Sequence, residues 1–277
     1  MSKALSQIVL SSPSLLSLLH PDVVDFAARI RNKGASISYN DLLIVDRFVK
    51  DIYANNLRAF ILECYPFVGD SIAAARTKLW HTGTEAFINN GFTSANYGRA
   101  TGITGNGSSF LNSNFVPSAT SSLTNTNGSI GVYNRSNIFE SRILVGCADS
   151  NGNSFNLIVG WSDNFNYFDS FTLGVGVGRL TTPSSTDCLG FHVGSRISAT
   201  DSRYFQRGNQ IASITTSGGN LPTVAQHWFV YNNNGTINSF STKSIGFGFI
   251  GRGLTPTQVS VLTRIVNQLM TDLGRAV

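Results

Sequence analysis

The sequence predicts a mainly β protein: an antiparallel sandwich or jelly roll with an N-terminal helical region and a C-terminal helix. Three observations carry this. Short apolar runs follow one another from about residue 82 onward. Asn-Gly pairs stand at 90–91, 106–107, 127–128, 151–152 and 234–235, and Asn-Gly suits the tight turns that join antiparallel strands. Helical periodicity is confined to residues 1–80 and 255–274.

In the N-terminal span, Ser12-Pro13 opens a short helix through Leu15, Leu16, Leu18 and Leu19, and His20-Pro21 breaks it. Pro21 suits the first turn of the next helix, whose apolar positions are Val23, Phe26, Ala27 and Ile30 and whose stop is Gly34. A third helix begins near Asn40, with Leu42, Val45, Val49 and Ile52 on one stripe and Asp41, Asp46, Lys50 and Asp51 mostly off it. Tyr65-Pro66 interrupts, and Ser71 precedes a short helical turn. The expected strands are 141–148, 154–161, 171–178, 189–198, 210–216, 227–232 and 243–251. The stretch 102–119, GITGNGSSFLNSNFVPSA, reads as a strand entering the sandwich, and because an early strand of this fold type tends to pair with a late one it is expected beside 243–250. The chain closes on Thr255-Pro256-Thr257-Gln258, a capping box with proline at the first helical position. Val259, Leu262, Ile265, Val266, Leu269 and Leu273 form the apolar stripe, Gly274 ends the helix, and Arg275 is placed to complement its dipole. The expected organisation is an N-terminal helical region, 1–80, read as a small packed bundle or as a docking module, and a sandwich, 81–277, ending in helix 255–274.

Composition bounds the function. Charged residues are 13% of the 277, against about 25% in ordinary soluble chains. The surface is therefore built largely from Asn, Ser, Thr and Gly, which suits static assembly or sugar contact. The net charge of +5 is diffuse, and the densest basic run, Arg29, Arg31 and Lys33, is too sparse for a nucleic-acid patch. No run is long enough for a membrane span. Cys64, Cys147 and Cys188 form no metal spacing and cannot all pair. His20, His81, His192 and His227 show no zinc pattern, and His192 and His227 are expected as hydrogen-bonded sheet residues. Asp149-Ser150-Asn151-Gly152-Asn153 resembles a calcium loop superficially. Ser154 and Gly160 stand where such a loop needs Gly and Glu, so a hairpin turn is expected. Gly174, Gly176 and Gly178 lie in a strand pattern and read as close-approach positions, not a phosphate loop.

Four segments in order carry a resemblance: 102–119, GSIGVYNRS (128–136), SRYFQRGNQIASITT (202–216) and 241–275. Together they resemble the strands and closing helix of concanavalin A-like (laminin-G-like) jelly rolls, and, with the helical region before them, structural proteins of tailed bacteriophages. The resemblance implies a non-enzymatic virion protein, for capsid decoration or a tail fibre. It would dock by its helices on other virion proteins, as a homo-oligomer, without cofactor or metal. The alternative is a carbohydrate-binding module for host-surface glycans. Glucanases of this fold use paired carboxylates on one strand, and Glu63, Glu85 and Glu140 show no such pattern. The candidate glycan or protein contact is the segment 161–170, with Trp161, Asp163, Asn164, Phe165, Tyr167 and Asp169. It sets stacking rings beside amides and carboxylates, as sugar faces and hydroxyls require.

Overall fold

The computed structural model describes residues 18–173, 178–216 and 218–277. The expected helix at Leu15 and Leu16 and the steps at Gly174 and Gly176 lie outside them. The helices are α1 (Pro21–Asn32), α2 (Tyr39–Ala54), the single turn α3 (Ile72–Ala75) and α4 (Pro256–Asp272). In chain order the strands are β1 (Ile61–Tyr65), β2 (Ile88–Asn90), β3 (Tyr97–Gly98), β4 (Gly102–Thr104), β5 (Phe110–Asn112) and β6 (Gly128–Asn134). They continue with β7 (Val145–Ala148), β8 (Asn153–Ile158), β9 (Tyr167–Leu173), β10 (Arg179–Thr181), β11 (Gly190–Ser198) and β12 (Asp201–Gln206). The last are β13 (Asn209–Ile214), β14 (His227–Trp228), β15 (Tyr231–Asn233), β16 (Thr236–Asn238) and β17 (Ser244–Gly251).

The strands form the expected sandwich of two antiparallel sheets. One runs β13-β12-β11-β6-β17-β4-β3, with β1 also on β17; the other runs β10-β9-β8-β7-β14-β5-β2, with β15 and β16 attached. The exception to antiparallel pairing is β15, which runs parallel to β7. Pleat alternation assigns the two faces of the first sheet. Ile130, Val132, Ile245 and Ile250 meet Phe155, Leu157, Phe168 and Trp228 of the second sheet. Tyr133, Phe191, Phe247 and Phe249 face the other way, into a core shared with Phe26, Val45, Val49, Leu262 and Val266 of the helices. The architecture is therefore helices on sheet on sheet. This is why SIGFGFIG is buried on both faces. Two glycines keep the layers close: a side chain at Gly194 would run into Phe168, and one at Gly248 into Trp228.

The helices form for the reasons read from sequence. In α4 the Thr255 hydroxyl accepts from Gln258 N at 3.3 Å and Gln258 Oε1 accepts from Thr255 N at 2.9 Å. Its whole predicted stripe is buried, and Gly274 stops it with φ 72°. α1 buries Val23, Phe26, Ala27 and Ile30, and α2 buries Leu42, Val45, Val49 and Ile52. No helix among the described residues is long and apolar enough to cross a membrane.

The structure departs from the sequence reading in several places. Residues 61–65, expected within a helical span, are strand β1 and pair with β17. Asp41 and Asp46 are buried, because Arg99 holds Asp41 at 2.6 Å and Lys50 holds Asp46 at 2.6 Å. The stretch 102–119 serves both sheets: β4 pairs with β17 at Ile245↔Ile103 as expected, then the turn at Gly105–Ser109 carries the chain across to β5, which pairs with β14. The Asn-Gly pairs are not uniform. Asn234-Gly235 has positive φ at both residues and closes β15–β16, whereas Gly128 has none and begins β6 beneath Phe171. The turn in 202–216 is Arg207-Gly208, at φ 50° and 82°, not Gly-Asn.

A further correction is Arg275. It is 0% exposed, not a solvated partner of the helix end. Its guanidinium donates to the carbonyls of Arg99 (2.6 Å), Pro66 (2.9 Å), Gly246 (2.9 Å) and Phe67 (2.7 Å). Burial pulls its pKa down to about 10. Even so it is charged at neutral pH, and five N–H donors in a rigid fork fit four converging carbonyls.

The two strand histidines differ. His192 Nε2 donates to Cys188 O at 2.9 Å and its Nδ1 accepts from Tyr204 at 3.1 Å. His227 stacks on Phe110 at 5.0 Å, and its Nδ1 is buried without a partner. The expected hydrogen-bonded sheet role holds for His192 and not for His227 Nδ1.

Two predictions follow from these groups. Arg275→Met strands the buried carbonyls of Pro66, Phe67 and Gly246 and is expected to cost about 3–5 kcal/mol in urea unfolding. Arg275→Lys, with three donors, is expected to recover part of that loss. Burial pushes both imidazoles down to about 4, while in the unfolded chain they titrate near ~6.5. Below that value the unfolded state binds more protons. The histidine contribution is thus complete above pH ~6.5 and is lost as pH falls toward about 4. The urea midpoint is expected to drop between pH 7 and 4.5, and less steeply in His192→Gln.

Candidate functional site

The segment 161–170 leaves β8 at Gly160, turns, and enters β9. Asn164 sits at φ 69°, its N–H donates to Trp161 O at 2.9 Å, and Trp161 N donates to Phe165 O at 2.8 Å. Asp163 Oδ1 accepts from Phe165 N at 3.0 Å, so the carboxylate closes its own turn. Inside the turn the buried Asn166 side chain accepts from Gly160 N at 2.6 Å.

A buried ion pair supports the loop from below. Glu140 accepts from Ser241 Oγ at 2.6 Å, Thr242 Oγ1 at 2.8 Å and Lys243 Nζ at 3.2 Å. Lys243 Nζ also donates to Gly160 O at 3.4 Å, and Glu140 N donates to the same carbonyl at 2.9 Å. Burial acts to raise the Glu140 pKa, but these donors outweigh it and hold the carboxyl below its ordinary range.

Strand alternation then sorts the side chains. Phe168 enters the sandwich, so Tyr167 and Asp169 stand on the outer face. Trp161, Phe165 and Tyr167 are half-buried and gather there, with Trp161 edge-on to Tyr167 at 6.5 Å and Phe165 at 6.4 Å from it. The Tyr167 hydroxyl donates to Asp163 Oδ2. Burial, then that bond, pushes the phenol up to about 12, so it stays protonated. Asp163 and Asn164 are exposed.

Asp169 is placed differently from the other candidates. It is 1% exposed and takes a bidentate grip from Arg179 at 2.7 Å and 2.7 Å, plus Asn156 Nδ2 at 2.9 Å. Burial opposes the charge on Arg179, but the Asp169 bonds outweigh it and raise its pKa above the ordinary value. The carboxylate is therefore spent on structure, not offered to a ligand. Register explains the arrangement: Arg179↔Asp169, Asp169↔Asn156, Asn156↔Gly146 and Gly146↔Tyr231 form one row across β10, β9, β8, β7 and β15. A side chain at Gly146 would meet the Asn156 amide at 2.6 Å, so the row requires glycine there. Arg179 also lies over the Tyr167 ring at 5.1 Å, which joins the row to the aromatic cluster. Arg179, Asn156 and Tyr231 were missed from sequence. The available signal was Asn156, a polar residue in the otherwise apolar run of 155–159.

The Asp149 turn is a hairpin, as expected. Its carboxylate accepts from Asn151 N at 2.9 Å, Asn153 N at 3.1 Å and Asn153 Nδ2 at 3.0 Å, and Gly152 takes φ 78°. Among the described residues no group of three or more His, Cys, Asp or Glu side chains is placed to hold a metal ion.

No protein family matches the chain. No curated protein matches it either. Among solved structures, a Trypanosoma rangeli sialidase mutant displaying trans-sialidase activity is 10% identical at a TM-score of 0.49, over 82% of this chain and 39% of that one. The CBM40 of Ruminococcus gnavus IT-sialidase is 16% identical at 0.44, over 59% of this chain and 96% of that one. A NanB sialidase mutant from Streptococcus pneumoniae is 13% identical at 0.35, over 49% of this chain; the chain spans 23% of its length. All three scores lie below 0.5, and the functional reading rests on this chain's own side chains.

The two aspartates are expected to behave oppositely. Asp169→Asn leaves Arg179 without its charge partner in a buried row and is expected to cost about 2–4 kcal/mol in urea unfolding. Asp163→Asn, at an exposed turn, is expected to cost less than about 1 kcal/mol.

Proposed function

We propose that this chain is a non-enzymatic component of a tailed-bacteriophage virion that contacts saccharide through Trp161, Phe165 and Tyr167. The observation that carries the saccharide reading is the cluster itself. Three half-exposed rings stand on one outer face around Asp163, whose position is set by its own turn and by the Tyr167 hydroxyl. Ring faces suit the C–H faces of a sugar, and the carboxylate and the Asn164 amide suit its hydroxyls.

Virion membership is supported by the ordered segments resembling phage jelly-roll proteins and by the low charge content of 13%. The apolar stripes of α1 and α2 are used inside the molecule. A docking contact with a neighbouring virion protein would therefore use the outward residues Leu18, Leu43 and Tyr53, which are 69%, 41% and 42% exposed. The non-enzymatic reading is supported by the commitment of the carboxylates. Glu63 pairs with Lys78, Glu85 with Lys33, Glu140 with Lys243 and Asp169 with Arg179. A glycosidase needs two carboxylates facing one bond.

A glycan array with the full chain is expected to return binders. Trp161→Ala and Tyr167→Ala are each expected to weaken them on the order of tenfold. Unchanged binding in both variants contradicts the saccharide reading. Separately, a C-terminal label is expected on purified particles by electron microscopy, and its absence contradicts the virion reading.

A further inference from the structure

A second polar site lies on the far side of the molecule, between the β12–β13 hairpin and the back of α4. The groove measures about 440 Å³ and is lined by Arg207, Asn209, Ser260, Arg264, Asn267 and Gln268, among others. Helical spacing explains its floor. Ser260, Arg264, Asn267 and Thr271 recur every three to four residues, opposite the stripe that α4 buries in the core. The hairpin supplies the wall. Its tip, Arg207-Gly208, rests on Thr263, where a side chain at Gly208 would come within 3.4 Å.

The lining is cationic and rich in donors. Neither a carboxylate nor an aromatic ring lines the groove. Two carboxylates meet the edge of the lining: Asp187 pairs with Arg207 at 2.7 Å and offsets that charge, and Asp272 is held by Arg47 at 2.8 Å and by Gln268 at 2.9 Å, which leaves Arg264 as the uncompensated cation of the lining among the described residues. Arg264 lines the groove without a hydrogen bond or ion pair among the described residues, and Asn209, Ser260 and Asn267 offer side chains equally uncommitted. A free guanidinium binds an oxyanion, in bidentate fashion where geometry allows, and flanking amides and hydroxyls match hydroxyl groups. The absence of apolar lining disfavours a hydrophobic protein anchor.

We infer that this groove binds an anionic polyhydroxylated chain, a polysaccharide or polyol bearing carboxylate or phosphate, with Arg264 on the anion. The inference is independent of the aromatic cluster. It is tested by calorimetric titration of the full chain with three probes: an oligogalacturonate, a glycerol-phosphate oligomer and a neutral maltooligosaccharide. At least one anionic probe is expected to bind more tightly than the neutral one, and which one binds identifies the oxyanion. Its affinity is expected to fall with added salt, and to fall on the order of tenfold in Arg264→Gln and in Asn267→Ala. Both side chains are exposed, so circular dichroism is expected to show an intact fold. Trp161→Ala is expected to leave this binding unchanged. The inference is overturned if neither anionic probe binds, if Arg264→Gln binds as well as the native chain, or if Trp161→Ala alone abolishes binding.

Discussion

One buried cation holds the layers of this protein together. Arg275 follows the last helix and reaches four carbonyls from three separate parts of the chain: the bend at Pro66 and Phe67, the β3–β4 turn at Arg99, and strand β17 at Gly246. The carbonyls of Pro66, Phe67 and Gly246 lie in buried bonds, and a buried carbonyl left without a donor costs about 1–3 kcal/mol. Phe67 sits at φ 49°, a backbone state that a bulky side chain avoids, and its carbonyl is one of the four. Arg99 extends the clasp, binding Asp41 of α2 at 2.6 Å and the carbonyl of Leu273 at 3.3 Å. Two arginines thus tie α2, the end of α4, the first sheet and the chain before α3 into one packed unit.

That clasp was not legible in the sequence, although both arginines were. A basic residue after a helix stop ordinarily serves the helix dipole from solvent; only the tertiary fold brings four carbonyls to Arg275. Features fixed by neighbouring residues were readable. The capping box and stripe of α4 and the stripes of α1 and α2 follow from local chemistry and periodicity, while the pairing of β4 with β17 was expected from the jelly-roll fold type. Features fixed by distant partners were not. Residues 61–65 are a strand because β17 has a free edge there. Asp169 is structural because Arg179 lies across from it in register. Gly128 needs room beneath Phe171 rather than a turn. The aromatic members of the candidate site were readable by composition, while the row beneath them, Arg179–Asp169–Asn156, exists only through sheet register.

The same division bears on function. The sandwich turns several of its charges inward, on Lys78–Glu63, Lys243–Glu140 and Arg179–Asp169, beneath the half-buried rings of the candidate site. Buried pairs of this kind contribute less to stability than to the placement of what they support. Lys243 and Glu140 fix the root of the 161–166 turn at Gly160, and Arg179 braces Tyr167 from the neighbouring strand. A rigid aromatic surface loses little side-chain entropy when it binds, which suits the proposed saccharide contact.

Tryptophan emission tests this most directly. Trp80 and Trp228 are 4% and 0% exposed, whereas Trp161 is half-buried at the proposed contact. In titration with a saccharide that the chain binds, Trp161 emission is expected to shift to shorter wavelength and its acrylamide quenching to fall, with neither change in Trp161→Phe. A saccharide that binds while Trp161 emission and quenching stay as in the free protein would contradict the account.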